Sequence, residues 1–171
     1  MAQVFYSTSA LKSPMIKRFA QPLRDAADAG DGKKLRQILA EAAAQVDEKK
    51  QKQILDAQDE NTDFTALMLA ADAGHVECCA LLLESKASVD LVAEEAGNRT
   101  ALHLAAYSMH DEVVSLLLSA GADKALKCSS DAAFGGTAKE LAEQRLKEYM
   151  IGGGTGEENE TSLQEIIKSL T

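Results

Sequence analysis

The sequence predicts an all-α protein built from repeated helix pairs stacked side by side. Three observations carry this prediction. Of 171 residues, 29 are Ala and 21 Leu, against 13 Val plus Ile, 7 Phe plus Tyr and no Trp; β-branched and aromatic residues are what strands prefer, so the mix favours helix. Both prolines, Pro14 and Pro22, lie in the first 22 residues, and nothing after them is barred from helix by proline. The chain also resembles itself. Residues 65–74 read TALMLAADAG and residues 100–109 read TALHLAAYSM, an offset of 35, and the likeness continues through His75 on His110 and 80–85 on 115–120. Residues 23–31 align with 67–75 at an offset of 44, and 137–143 with 100–106 at 37, which makes four copies with unequal spacers.

Each copy has the same internal form. A Thr opens a short helix, a Gly or small-residue turn follows, and a second helix carries apolar residues at helical spacing, as at Val113, Leu116 and Leu117. Such a pair cannot bury its faces alone, and stacking copies gives a solenoid. Ahead of the first copy, Ser13-Pro14 with Met15, Ile16 and Phe19 predicts a small leading helix over 13–20. Copy one lacks the opening Thr, and its first helix is expected to start at Gln21 with Pro22 as its first helical residue. Its second helix spans about 32–44. The charged stretch from Asp47 to Gln58 then supplies a short extra helix, which the offset of 44 requires. In copy four the first helix runs long, from Thr137 to about Tyr149. Residues 152–156, GGGTG, form a spacer, and a capping box of Ser162 and Glu165 opens a last helix over 162–170 with Leu163, Ile166, Ile167 and Leu170 on one face.

Charge and composition exclude several function classes. The net charge is −9, from 27 acids and 18 bases. A nucleic-acid binder needs a basic face, so no nucleic acid is expected as partner. No apolar run approaches the ~18 residues of a membrane helix, so no membrane insertion is expected, and no secretory signal is seen. Three cysteines, two of them adjacent, make no disulfide framework and fit a reducing, cytoplasmic location. The glycosylation triplets at 98–100 and 159–161 are then chance matches. Residues 1–19 carry Lys12, Lys17 and Arg18 and no acid; this composition is similar to an organelle transit segment, the alternative being an arm that docks on the first copy or on a partner. Ser13-Pro14 also meets the minimal pattern for a proline-directed kinase.

The repeated unit resembles the ankyrin repeat. The residues that carry the resemblance are 65–67, 100–106, the Gly74-His75 turn and 119–123, and it covers roughly residues 20–170. The implied organisation is an N-terminal arm over 1–19 and a repeat domain over 20–171, with repeats at about 20–58, 59–94, 95–130 and 131–171. Several positions depart from the family pattern. Ala stands for the usual Pro at 66, 101 and 138, Met109 for the turn Gly, Met68 for the motif His, and Asp63 and Asn98 for the tip Gly. Asp and Asn tolerate left-handed backbone better than most residues, so the tips are expected to survive.

Possible chemistry resolves into structure. His75, Cys78 and Cys79 share one helix face, but zinc wants four such ligands and Cys128 is distant, so packing is the expected role and no metal is assigned. His103 occupies the family's motif His, which bridges turns around the opening Thr, and His110 reads as a structural turn residue in the same way. Residues 152–156 lack the Lys and Ser or Thr of a phosphate loop, and Glu157 and Glu158 would repel phosphate. No nucleophile, acid–base set or cofactor motif appears, so no enzyme and no cofactor are expected.

The resemblance implies a protein-interaction module that binds its partner on the concave surface of tip loops and first helices, as a regulator or adaptor. The alternative is a structural subunit held permanently in a large assembly. The positions carried over are Asn61, Thr62, Phe64, Asp72, Arg99, Tyr107, Ser108, Phe134 and Arg145. Phe64, Arg99 and Tyr107 are read as exposed and sharing one patch, since aromatics and Arg dominate interface energetics. Asp28, Asp63 and Asp72 on the same side imply a partner with a basic stretch, and the protein alone is expected to be a monomer.

Overall fold

The computed structural model describes residues 13–129, 135–151 and 157–171. Among them it has nine helices: α1 (Pro14–Asp28), α2 (Gly32–Gln45), α3 (Glu48–Leu55), α4 (Ala66–Asp72), α5 (Val76–Glu84), α6 (Ala101–Tyr107), α7 (Asp111–Ser119), α8 (Ala138–Ile151) and α9 (Glu157–Ser169). They pack in consecutive pairs, α1 with α2, α4 with α5, α6 with α7 and α8 with α9. Like then stacks on like. One row is α1, α4, α6 and α8, the other α2, α5, α7 and α9. The extra helix α3 packs on α1 and α2. The expected all-α solenoid of helix pairs is what forms, and extended pairing among the described residues is limited to single bridges at the tips, Ala93 with Arg99 and Cys128 with Gly136.

Local chemistry sets the helix ends. Asp31, Asp47, Thr65 and Thr100 each accept a hydrogen bond from the backbone N–H three residues on, satisfying a donor that the helix cannot. At the other ends the chain turns through left-handed backbone, and the next residue's N–H reaches back to close the helix: His75 to Ala70 (2.9 Å), Ala87 to Leu82 (3.0 Å), His110 to Ala105 (3.0 Å) and Ala122 to Leu117 (3.0 Å). Asp63 and Asn98 hold φ of 58°, as expected for their tips, and Met109 holds 66°. Lys86 also sits at 69°, a position the sequence reading passed over although Gly121 fills it one copy later.

Two glycines are required by the neighbouring copy as well as by φ. The His75 ring lies over Gly30, where a Cβ would sit 2.7 Å from the imidazole, and the His110 ring lies over Gly74 at 2.6 Å. Each ring donates from Nε2 to the last-turn carbonyl of the preceding copy, Asp28 or Asp72, at 3.0 Å. No histidine follows His110 in the sequence, and α8 runs on without a turn. Met109 can therefore stand where Gly30 and Gly74 stand.

The core lies between the two rows. Ala70, Ala71, Ala105 and Ala106 are fully buried in α4 and α6, where small side chains let the first helices approach closely. Leu102 and Leu117 are buried as expected, as are Leu163, Ile166 and Leu170 of the last helix pair.

Two expectations need correction. Residues 13–20 form no separate helix and no start occurs at Gln21: α1 is continuous, with Pro22 inside it, and crosses the boundary expected after residue 19. Ile16, Phe19, Ala20, Leu23, Ala26 and Ala27 form one buried stripe on both sides of the proline, and this packing overrides the missing backbone bond. The last helix begins at Glu157, so Ser162 and Glu165 lie within α9 and cap nothing. The Gly-rich stretch 152–156 lies outside the described residues.

Candidate protein-binding face

The candidate face is the exposed side of the first-helix row with the tips beside it. Equivalent positions near the helix ends recur as Asp28, Asp72, Tyr107 and Gln144, followed by Ala29, Ala73, Ser108 and Arg145. Neighbouring copies touch through them. Ser108 Oγ donates to Asp72 Oδ1 at 2.7 Å. The Arg145 guanidinium carbon lies 5.2 Å from the centre of the Tyr107 ring, and that of Arg99, from the tip, 5.6 Å. Residues from α6, α8 and a tip thus converge on one half-exposed aromatic. Arg145 also meets Glu148 at 3.4 Å, whereas Arg99 enters no ion pair among the described residues.

The first tip carries Asn61 and Thr62, both exposed. Asp59 fixes their backbone, accepting from the N–H of Asn61 at 2.9 Å and of Thr62 at 3.2 Å. These bonds, the Asn61 bond first, hold the Asp59 carboxyl below the usual carboxylate range. Asp59 also lies 3.6 Å from Arg24, a buried residue whose guanidinium donates to Ala57 O at 3.2 Å and to Gln21 Oε1 at 2.6 Å. Burial pushes the Arg24 pKa down. Sequence reasoning missed this pair. The signal was present, since Ala20, Arg24 and Ala27 share one helical face otherwise meant for the core.

Tips are also joined to one another. Asp63 Oδ2 accepts from Glu95 N–H at 3.1 Å, Ser129 N–H donates to Gly97 O at 2.8 Å, and Asn98 Nδ2 donates to Ser129 Oγ at 3.1 Å. Beneath the third tip, His103 is buried. Its Nδ1 accepts from Thr100 N–H at 3.2 Å, and its Nε2 donates to Leu126 O and Gly136 O at 3.1 and 3.2 Å. The ring is therefore the neutral Nε2–H form, and burial lowers its pKa from 6.5. The bridging role expected of it is what the geometry shows.

Of the sequence-derived positions, Arg99, Tyr107 and Arg145 come together, and Asp72 and Ser108 bond to each other. Asn61 and Thr62 present exposed polar groups on the tip. Phe64 is not the exposed aromatic expected: it is half-buried and packs against the core. Phe134 lies outside the described residues. Cys78 and Cys79 are buried in α5. Burial raises both thiols, Cys79 to about 12, which keeps them protonated and poor as metal ligands or nucleophiles.

A family model for ankyrin repeats, in three copies, matches residues 23–128. The chain belongs to the ankyrin-repeat family. No curated protein matches it. The fourth helix pair, α8 with α9, lies beyond the matched residues, yet stacks on α6 and α7 in the way each ankyrin repeat stacks on the one before. Ankyrin repeats mediate protein–protein interaction, and no helix among the described residues is long and apolar enough to cross a membrane.

Proposed function

We propose that this protein is a non-enzymatic recognition module that binds a partner protein through its tip loops and first-helix row, as a cytoplasmic regulator or adaptor. The observation that carries the reading is the convergence of Arg99 and Arg145 on Tyr107. Aromatic and Arg side chains dominate interface energies because they bury large area at low entropic cost and keep a polar handle. Further along the same row, exposed Asp28 and Asp72 give the face acidic character and favour a basic stretch in the partner. The buried cysteines and the neutral His103 are committed to packing and to bridging repeats, which leaves them no role in acid–base or nucleophilic chemistry.

The test is affinity capture from a cell extract with the tagged protein and with Tyr107→Ala, read by mass spectrometry. A partner held by the wild type and lost by Tyr107→Ala is the expected result. A partner held equally by both contradicts the assignment. Exposed Met150 and Ile151 at the end of α8 favour the second reading, a permanent assembly subunit. Size-exclusion chromatography separates the two: a regulator elutes as a monomer, and an assembly subunit aggregates or elutes only with fixed partners.

A further inference from the structure

The first-helix row is electrically polar along the stack. Its early steps present Asp25, Asp28 and Asp72, all exposed. Its late steps present Arg99 and Arg145, both held against the Tyr107 ring. Holding two guanidinium groups at one aromatic ring costs like-charge repulsion, which an anion placed between them relieves. Both are also pre-ordered, since the ring's negative face fixes each at about 5 to 6 Å and so reduces the entropy that binding must remove. Glu148 already faces Arg145 at 3.4 Å. The cluster therefore has roughly one positive charge left to satisfy, which matches a carboxylate better than a doubly charged phosphate. At the acidic end, Asp72 spends Oδ1 on the Ser108 hydroxyl and keeps Oδ2 for a donor from outside.

The geometry points to a carboxylate anchor: Arg99, Tyr107 and Arg145 hold an Asp or Glu side chain of the partner protein, while Asp72 and Asp28 receive a Lys or Arg of the same extended segment. This rests on the partner-binding reading above and adds the chemistry and polarity of the bound segment. Stacked helices lie about 10 Å apart. Tyr107 is one step from Asp72, and Arg145 is two. An extended chain rises about 3.3 Å per residue, so the acidic and basic residues of the partner stand roughly three to six positions apart.

The test is selection of a displayed library of random 12-residue peptides on the purified protein, followed by affinity measurement with synthetic peptides. Enriched peptides are expected to share one acidic and one basic residue at that separation. Replacing the acidic residue by its amide in the peptide weakens binding to the wild-type protein about tenfold or more; this arm needs no protein variant. The charge-reversed protein, Arg99→Glu with Arg145→Glu, loses those peptides and selects Lys or Arg at the former acidic position. Peptides that bind, that lose affinity on Tyr107→Ala, but that tolerate the amide in place of the acid overturn the anchor and leave the binding face standing. Binding of phosphorylated peptides alone overturns the anchor in the same way. Peptides insensitive to Tyr107→Ala, or no enrichment at all, count against the face itself, and the anchor falls with it.

Discussion

Lys86 and Met109 occupy left-handed helix-end positions that Gly121 and Gly74 fill in neighbouring copies. A Cβ there costs about 1 kcal/mol of backbone strain. The Lys86 side chain is 81% exposed and reaches only Glu48, at 3.4 Å, a surface pair of little worth. Lys86→Gly is therefore expected to stabilise the protein by about 0.5–1 kcal/mol in denaturant unfolding. Met109 is half-buried and packs on the core, so relief of strain is offset by lost burial, and Met109→Gly should gain less than Lys86→Gly. A loss of stability in Lys86→Gly would show that the turn has relaxed around lysine. His103 makes a second prediction at this scale. Its folded pKa lies below its unfolded value of 6.5, so the unfolded chain binds more protons in the window between them. Stability from this group is present above about pH 6.5 and falls as pH drops through that window. Unfolding free energies at pH 7.5 and 5.5 should show this loss in the wild type and less of it in His103→Asn. An equal slope in both would remove His103 as its source. The roles of Thr100, His103, Asp63 and Asn98 were legible in the sequence because each depends on residues a few positions away. Phe64 was not. Its burial depends on how the first tip folds over the core, a non-local packing that no spacing encodes.

Elements were legible where apolar periodicity or an offset marked them. The interval of 44 announced α3, and the structure shows what ties it in place. Lys52 Nζ donates to Lys86 O at 2.7 Å and lies 3.2 Å from buried Asp56, whose oxygens accept from Ser88 N–H and Oγ at 2.9 Å each. The start of α9 was not legible, because residues 157–161 are polar and offer no apolar period to read. Nor was the continuity of α1, since proline chemistry argues for a boundary and only the buried stripe on both sides of Pro22 overrides it. That conflict predicts a gain on its removal. Pro22 is half-exposed and interrupts the backbone ladder, so Pro22→Ala should stabilise the protein by about 1–3 kcal/mol, seen as a higher melting temperature. A destabilised variant would mean that the helix uses the proline to set the direction of its first two turns.

Across the whole molecule, each pair buries its apolar surface against the next, so the stack gains stability by nearest-neighbour contact. Leu102 and Leu117 sit at these contacts, 1% and 0% exposed, and either change to Ala should cost about 2–5 kcal/mol in unfolding free energy. The same stacking aligns exposed positions of separate repeats into one face, which is how residues as distant in sequence as Arg99 and Arg145 meet on Tyr107. The positions were visible in the repeat alignment; their convergence was not, because it depends on how far α8 stacks along α6. The most direct test of this face is calorimetric titration of the captured partner against Arg99→Ala, Tyr107→Ala, Glu84→Ala and Lys86→Ala. The first two should each weaken binding by about 2 kcal/mol or more, while stability changes by no more than the ~1 kcal/mol of a lost cation–π contact. Glu84→Ala and Lys86→Ala, exposed at and just past the end of α5 in the other row, should leave affinity unchanged. Weakening by the changes near α5, with none from Arg99 or Tyr107, would place recognition on the opposite side of the stack and contradict the account.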